Sequence, residues 1–487
     1  MSFDAGMTRF LLMGATLSAL NGCAQFSADQ TPTRHSASAL SAGVQKSRSD
    51  TGLALFSANA ANGLPSGWVP LLITHTKKRT EYRLVSEAGR TILHAQAHAA
   101  ASGLIQETNL DPMRYSWLQW RWKVADLLKL TEWGIPILRG MGGTGVVGII
   151  KNGNSTRAIG LRADMDALPM QEINAFAHTS RHAGKMHACG HDGHTAMLLG
   201  AAHYLSKQRD FDGTVYLIFQ PAEEGGGGAR KMMEDGLFAQ CPMDAVYGMH
   251  NWPGIAVGSF AVTPGPMMAS SNEFEVIVRG KGSHAAQPHK GIDPVMVAVQ
   301  IAQSWQTIIS RNKNPNDAAV LSITQIHAGS ATNVIPDDAT LIGTVRTFST
   351  EVLDLIEQRM HDIARHTASA FDAELQYEFK RNYPPLINHR QQTAAAVAVM
   401  ESIVGAQQVD AKVEPTMGAE DFAFMLQEKP GCYVFIGNGE GDHRSSGHGL
   451  GPCNLHNPSY DFNDALLPIG ATYWVRLAQA LLPRQDL

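Results

Sequence analysis

The chain predicts an α/β catalytic domain with a ferredoxin-like (βαββαβ) module inserted into it and a partial β-rich segment in front. Three observations predict this. Strands and helices alternate from about residue 126 onward; a block at 264–375 has its own β-α-β-β-α-β order; residues 51–125 alternate polar and apolar residues between Gly, Pro and Asp turns. A length of 487 residues calls for two or three domains, and 44% hydrophobic against 17% charged residues marks a globular chain. The net charge of −5 gives no reason to expect a nucleic acid or an anionic membrane surface as partner.

The elements read in order. At residues 1–23, Arg9 and the apolar run FLLMGATLSAL end at Asn21-Gly22-Cys23, the proportions of a signal segment. The ending resembles a lipoprotein cleavage site with Cys23 as the lipid-anchored residue. Residues 24–50 are a Ser/Ala/Gln/Thr-rich linker. In 51–125, TEYRLV, TILHAQAHA and YSWLQWRWKV read as strands, too few to close a sandwich. VADLLKLTEWGI is helical up to Gly134, and WGIPILRGMGGTGVVGIIKNG and RAIGLRADMDALP bring strands. HTAMLLGAAHYLSKQ (helix), GTVYLIFQPAEEG (strand and loop), ARKMMEDGLF (helix) and DAVYGMHN (strand) complete the first half of a catalytic domain spanning 126–263 and 376–487. In the insertion, NEFEVIVRGKGSH, AAVLSITQIHAGS, ATLIGTVRTF and AELQYEFKR are strands around the helices DPVMVAVQIAQSWQTII and VLDLIEQRMHDIARHTASAF.

The chemistry lies at strand ends, where ligands gather in open α/β sheets. RADMDALP holds Asp164 and Asp166, either of which could orient a ligand imidazole. In MHACGHDGHTA, Cys189 and His191 stand one residue apart, so an extended segment would aim both the same way, with His187, Asp192 and His194 as supporting partners. QPAEEGGGGA offers Glu223 and Glu224, whose diverging side chains allow one to bind a metal and the other to face a reacting water. His250 ends the apolar strand before NWP, and His456 lies in NLHNPSYDFND; alone, each is more often a satisfied core histidine. The five cysteines are sparse and do not space like a disulfide framework.

Together RADMDALPMQE, MHACGHDGHTAML, FQPAEEGGGGA, GMHNWP, GKGSHAAQPH, ATNVIPD, MGAEDFAF and LHNPSYDFND, in that order, resemble the hippurate hydrolase, N-acyl-amino-acid amidohydrolase and indole-acetyl-amino-acid hydrolase family over about residues 128–482. The resemblance implies a zinc-exopeptidase-like α/β catalytic domain, an inserted lid and dimerisation domain, and hydrolysis of N-acyl amino acids. It implies Cys189 as bridging ligand, His191, Glu224, His250 and His456 as the other ligands of two divalent ions (Zn, Mn, Co or Ni), Glu223 as general base and Asp166 as orienting acid. It implies His284 as a histidine reaching a neighbouring subunit's site in a homodimer, and Asn333 and Arg346 as substrate-anchoring positions. Residues 51–125 resemble part of an uncharacterised exported bacterial β-rich family through SGWVPL, YRLVSEAG and SWLQWRWKV.

One departure stands out. The family's longer helical start, with a stretch like R-x-x-L-H-x-x-P-E-L, is missing, and the β-rich segment joins near Asp126. A fusion of two partial domains would explain the seam. It keeps one alternative open, a catalytically impaired fusion lipoprotein that still binds metal; separately, within the enzyme class, a deacetylase of N-acetyl-diaminopimelate type also stays open. The N-terminus points to export, and a thiolate ligand suits a reducing cytoplasm, so the compartment stays open as well.

Overall fold

The structure, a computed structural model, describes residues 69–72, 81–87, 90–96, 102–105, 130–444 and 446–484. The expected signal segment with Cys23, the linker, the strand YSWLQWRWKV and most of the helix before Trp133 lie outside the described residues. The chain divides into two units, Met1–Trp120 and Arg121–Leu487. In the first, β1 (Val69–Leu72) pairs antiparallel with β4 (Ser102–Ile105), and β2 (Glu81–Glu87) with β3 (Arg90–Gln96).

The second unit begins with a hairpin, β5 (Ile137–Met141) and β6 (Gly145–Asn152), followed by β7 (Ala158–Asp164), α1 (His191–Lys207) and β8 (Gly213–Gln220). Next come α2 (Gly228–Glu234), α3 (Leu237–Gln240), β9 (Ala245–Pro253) and β10 (Phe260–Ala261). After the insertion, α6, β19, α7, β20 and α8 return to the same body; their bounds are Arg390–Val404, Val409–Asp410, Ala423–Glu428, Gly431–Gly439 and Leu466–Leu481. The eight-stranded mixed sheet has the order β19-β10-β20-β9-β7-β8-β6-β5, with β20, β9, β7 and β8 mutually parallel. Every residue of β7 and β20 is buried, as in a sheet covered on both faces, the charged Arg162 and Asp164 of β7 included. The parallel strands bring their C-terminal ends to one edge, and the site forms there.

Two connectors, β11 (Gly265–Met268) and β18 (Leu386–Asn388), run antiparallel side by side and carry the chain out to the inserted module and back. The module is β12 (Ser271–Arg279), α4 (Pro294–Thr307), β14 (Ala319–Ala328), β16 (Asp338–Thr347), α5 (Thr350–Ala370) and β17 (Glu374–Tyr383). Its antiparallel sheet has the order β14-β16-β12-β17, the βαββαβ arrangement expected from the sequence. A short ladder pairs β13 (Ser283–His284) with β15 (Val334–Ile335). Asp293 caps α4, where Pro294 takes the first turn, and Ser349 caps α5. Alternate residues of β16 (Ala339, Leu341, Val345) face a core of their own with Trp305, Ile356 and Met360. Each such large buried side chain contributes about 1.5–3 kcal/mol. Trp305 donates its indole N–H to the Met360 carbonyl at 2.9 Å, so the largest core side chain leaves no polar atom unpaired.

No helix among the described residues is long and apolar enough to cross a membrane.

Candidate metal centre

Cys189 and His191 do meet, but not across an extended segment. Gly190 between them takes φ 87° and starts α1, so His191 is the first helical residue. A Cβ at Gly190 would stand 2.3 Å from Asn251 Oδ1, which leaves glycine as the residue that fits. The donor atoms of Cys189, His191 and Glu224 lie within 4.8 Å of one another. Cys189 Sγ lies 3.3 Å from His250 Nε2, and His456 Nε2 lies 3.0 Å from Glu224 Oε1. The structure therefore brings all the sequence-predicted ligand residues into one cluster, and Glu223 adjoins it as a buried carboxyl.

Two residues, one in this cluster and one beside it, hold strained backbones. Ala222, just before the Glu223-Glu224 pair, has φ 55°, and His456 has φ 59°. A non-glycine residue in this region costs about 1–3 kcal/mol and persists where its surroundings over-determine it. His456 is pinned through its N–H to the Ala188 carbonyl at 2.8 Å, which ties it to the residue before Cys189.

Asp166 contacts two members of the cluster. Its Oδ1 lies 3.2 Å from His191 Nδ1, and its Oδ2 accepts the Glu224 N–H at 3.0 Å. With Nδ1 held by Asp166, His191 Nε2 is buried and has no hydrogen-bond partner. An orphaned imidazole nitrogen facing a thiol and a carboxylate fits a divalent ion of the zinc type. His194 lies 2.5 Å from Asp164 Oδ1 and 2.7 Å from Asn251 Oδ1, so it packs beneath the cluster as a supporting ring. Asp192, by contrast, is exposed and only accepts the N–H of Gly193.

The electrostatics follow from crowding carboxylates away from water. Burial, then Glu420, Asp421 and Glu224, push the Glu223 carboxyl well above its usual range. Burial and the carboxylates of Glu224, Glu223 and Asp164 also push the Cys189 thiol up. Burial opposes protonation of His191, yet Asp164 and Asp166 outweigh it and raise the ring to about 9. A bound cation reverses this balance, because it favours the thiolate and the neutral imidazole.

The sequence reading passed over a buried network under the site. Arg162, wholly buried in β7, reaches Asp164 Oδ2 at 2.8 Å, Glu420 Oε1 at 2.8 Å, Asp421 Oδ1 at 3.1 Å and Gln220 Oε1 at 2.8 Å. Tyr433 donates to Glu420. Glu223, Glu420 and Asp421 in turn bring carboxylate oxygens within 4.8 Å of one another. The signal was an arginine inside the apolar strand AIGLRAD and an acid pair inside MGAEDFAF, since buried charges need partners.

The module's residues stand apart. His284 and Asn333 line one groove with Ser283 and Asp337, and the Ala285 N–H donates to the Asn333 carbonyl at 3.0 Å. His284 is exposed and its Nδ1 accepts the Ala286 N–H at 3.0 Å. Arg346 lies elsewhere, half-buried on β16, where burial lowers its proton affinity and Glu273 opposes that. Among the described residues, none of these three is hydrogen-bonded to the metal-type cluster.

Comparison with known proteins agrees with this geometry. Residues 160–480 match the profile of peptidase family M20/M25/M40, and residues 66–133 match that of a protein of unknown function, DUF3047. Hippurate hydrolase of Campylobacter jejuni is 42% identical over 72% of this chain and 88% of its own length. N-acetyl-L-cysteine deacetylase of Bacillus subtilis is 40% identical over 71% and 79%. The crystal structure of the Bacillus subtilis YXEP protein, a dinuclear metal binding peptidase from the M20 family, superposes with a TM-score of 0.61 at 34% identity, covering 72% of this chain and 89% of that one. The mixed-sheet fold, the clustered metal-type donors and these matches lead to one conclusion: the chain belongs to peptidase family M20/M25/M40 and is an amidohydrolase.

Proposed function

We propose that this amidohydrolase uses two divalent ions to cleave N-acyl amino acids, hippurate-like substrates among them, to a carboxylic acid and a free amino acid. The observation that carries the reading is the convergence of Cys189, His191 and Glu224 donor atoms within 4.8 Å, beside the buried carboxyl of Glu223. The names of the 42% and 40% identical relatives support the substrate class. Cys189, His191, Glu224, His250 and His456 would hold the ions, and this S/N/O set suits Zn²⁺, Mn²⁺, Co²⁺ or Ni²⁺. When bound, the ions would supply Lewis acidity and lower the pKa of a water at the site.

The chain's own residues do the rest. Asp166 holds the His191 ring in the tautomer that leaves Nε2 free. Glu223 takes the proton of the attacking water and returns it to the leaving amine nitrogen. His284 stabilises the developing oxyanion in a neighbouring subunit's site, so the working form is a homodimer joined through the inserted module, which acts as a lid. Asn333 and Arg346 anchor the substrate, the guanidinium suiting its carboxylate.

Release of glycine from hippurate with added Mn²⁺ or Zn²⁺ is the direct test. Glu223→Ala is expected to keep bound metal and lose turnover by about 10²–10⁴-fold. Hydrolysis at the parent rate by that variant would remove Glu223 as the base. A metal-loaded parent that released nothing from a panel of N-acyl amino acids would remove the substrate class.

A further inference from the structure

We propose that Tyr383 is a positioning residue that ties the hinge of the inserted module to the catalytic base; this rests on Glu223 being that base. Tyr383 is the last residue of β17, just before the connector β18. It pairs with Ser271, the first residue of β12, where the register shifts. The place is therefore the hinge itself, yet the buried phenol reaches into the catalytic body. Its hydroxyl donates to the Glu223 carbonyl at 2.5 Å and accepts the Gly227 N–H at 3.2 Å.

The Glu223 carbonyl and the Glu224 N–H belong to one peptide unit. Asp166 Oδ2 holds the N–H at 3.0 Å, and Tyr383 holds the carbonyl from outside the loop, beside the loop's own Gly225 N–H at 2.8 Å. The peptide between base and ligand is thus clamped at both ends, and its plane decides where the two divergent carboxylates point. The loop needs such clamps. Ala222, Gly225 and Gly227 all take positive φ (55°, 77° and 62°), and α2 has no side-chain cap at its start. Asp421 steadies the far end by accepting the Ala229 N–H at 2.8 Å. Asp166 and Asp421 belong to the catalytic body. Among the described residues, Tyr383 is the group from the module's strands that bonds this loop. Movement of the module about β11 and β18 is therefore felt at the Glu223 carbonyl.

Tyr383→Phe removes both hydrogen bonds and keeps the ring that packs edge-on against Phe424, 6.1 Å between centroids. With hippurate as substrate and Mn²⁺ as metal, kcat per metal-loaded site is expected to fall about 10- to 100-fold, because displacement of a reacting group by an ångström costs on that order. KM and metal content are expected to stay within about twofold, the pattern of lost transition-state alignment. Hydrogen exchange at Gly225–Gly227 is expected to speed up while the sheet stays protected. A merely structural role would lower the fraction of metal-loaded protein and leave kcat per loaded site alone, and that result would overturn the proposal. Glu223→Gln is assayed alongside. If it is inactive and Tyr383→Phe is fully active, the base stands and the coupling is wrong. If Glu223→Gln keeps parent turnover, the base assignment falls and this proposal with it.

Discussion

The edge of the catalytic sheet and the groove of the inserted module are built on opposite terms. At the sheet edge, Cys189, His191 and His250 are buried, and Asp166 and the Asn251 carbonyl fix the directions of the His191 and His250 rings. In the groove, His284 and Asn333 are exposed and are held through the backbone of a two-residue ladder. One region is organised before any substrate arrives; the other offers side chains that still have contacts to make. The difference teaches where function costs stability. Strain at Ala222 and His456 and crowded carboxylates around Glu223 sit at the edge, and the large apolar cores beneath absorb them. The groove carries no such burden.

The contrast can be broken in stages. His284→Ala should strike catalysis alone: kcat is expected to drop about 10²–10³-fold, the usual loss for one oxyanion donor, with the unfolding midpoint and metal content unchanged. A drop in thermal stability or metal content would show that the groove residue is structural. Asp166→Asn should do the converse. It loosens His191 and the Glu224 N–H, and metal affinity is expected to fall about 10- to 100-fold. Unchanged affinity in a competition titration with a chelating dye would detach Asp166 from the metal centre.

The smallest effect is in pH. In the chelator-stripped protein the His191 ring is raised from 6.5 to about 9. Its contribution to stability is fully present below about 6.5 and is lost as pH rises through about 9. His456, raised by its hydrogen bond to Glu224, acts in the same direction. The stripped protein should therefore lose up to about 1.4 kcal/mol per pH unit through the buried His191 across this window, and the half-exposed His456, screened by water, adds less. The metal-loaded protein should not, because His191 then holds a metal ion in place of a proton. Thermal melts from pH 6 to 9 with chelator and with Mn²⁺ check this; a stripped protein whose midpoint rose with pH would contradict it.

What could be read from the sequence follows the same division. Cys189, His191, Glu223, Glu224 and Asp166 were legible because their chemistry is packed into short motifs at strand ends. The module was legible because its strand alternation and helical periodicity are local. Arg162 with Asp421, and Tyr383 with Glu223, were not legible. Those pairs are 259 and 160 residues apart, and their meeting depends on sheet order and register. Nor does a sequence announce that Gly190 turns a Cys-x-His pair through a left-handed helix start.

The connectors β11 and β18 lie next to each other, so the inserted module enters and leaves the catalytic body at one seam and folds around its own core. The chain can therefore be seen as a fixed reactor with an exchangeable cassette. A homologous module grafted between residues 268 and 386 would change what the reactor is shown, while the metal-type cluster, none of whose residues lies in that interval, would remain intact. Such a graft must preserve the backbone bonds of Ala269 to Thr416 and Gly418 at its entry and a tyrosine at its exit.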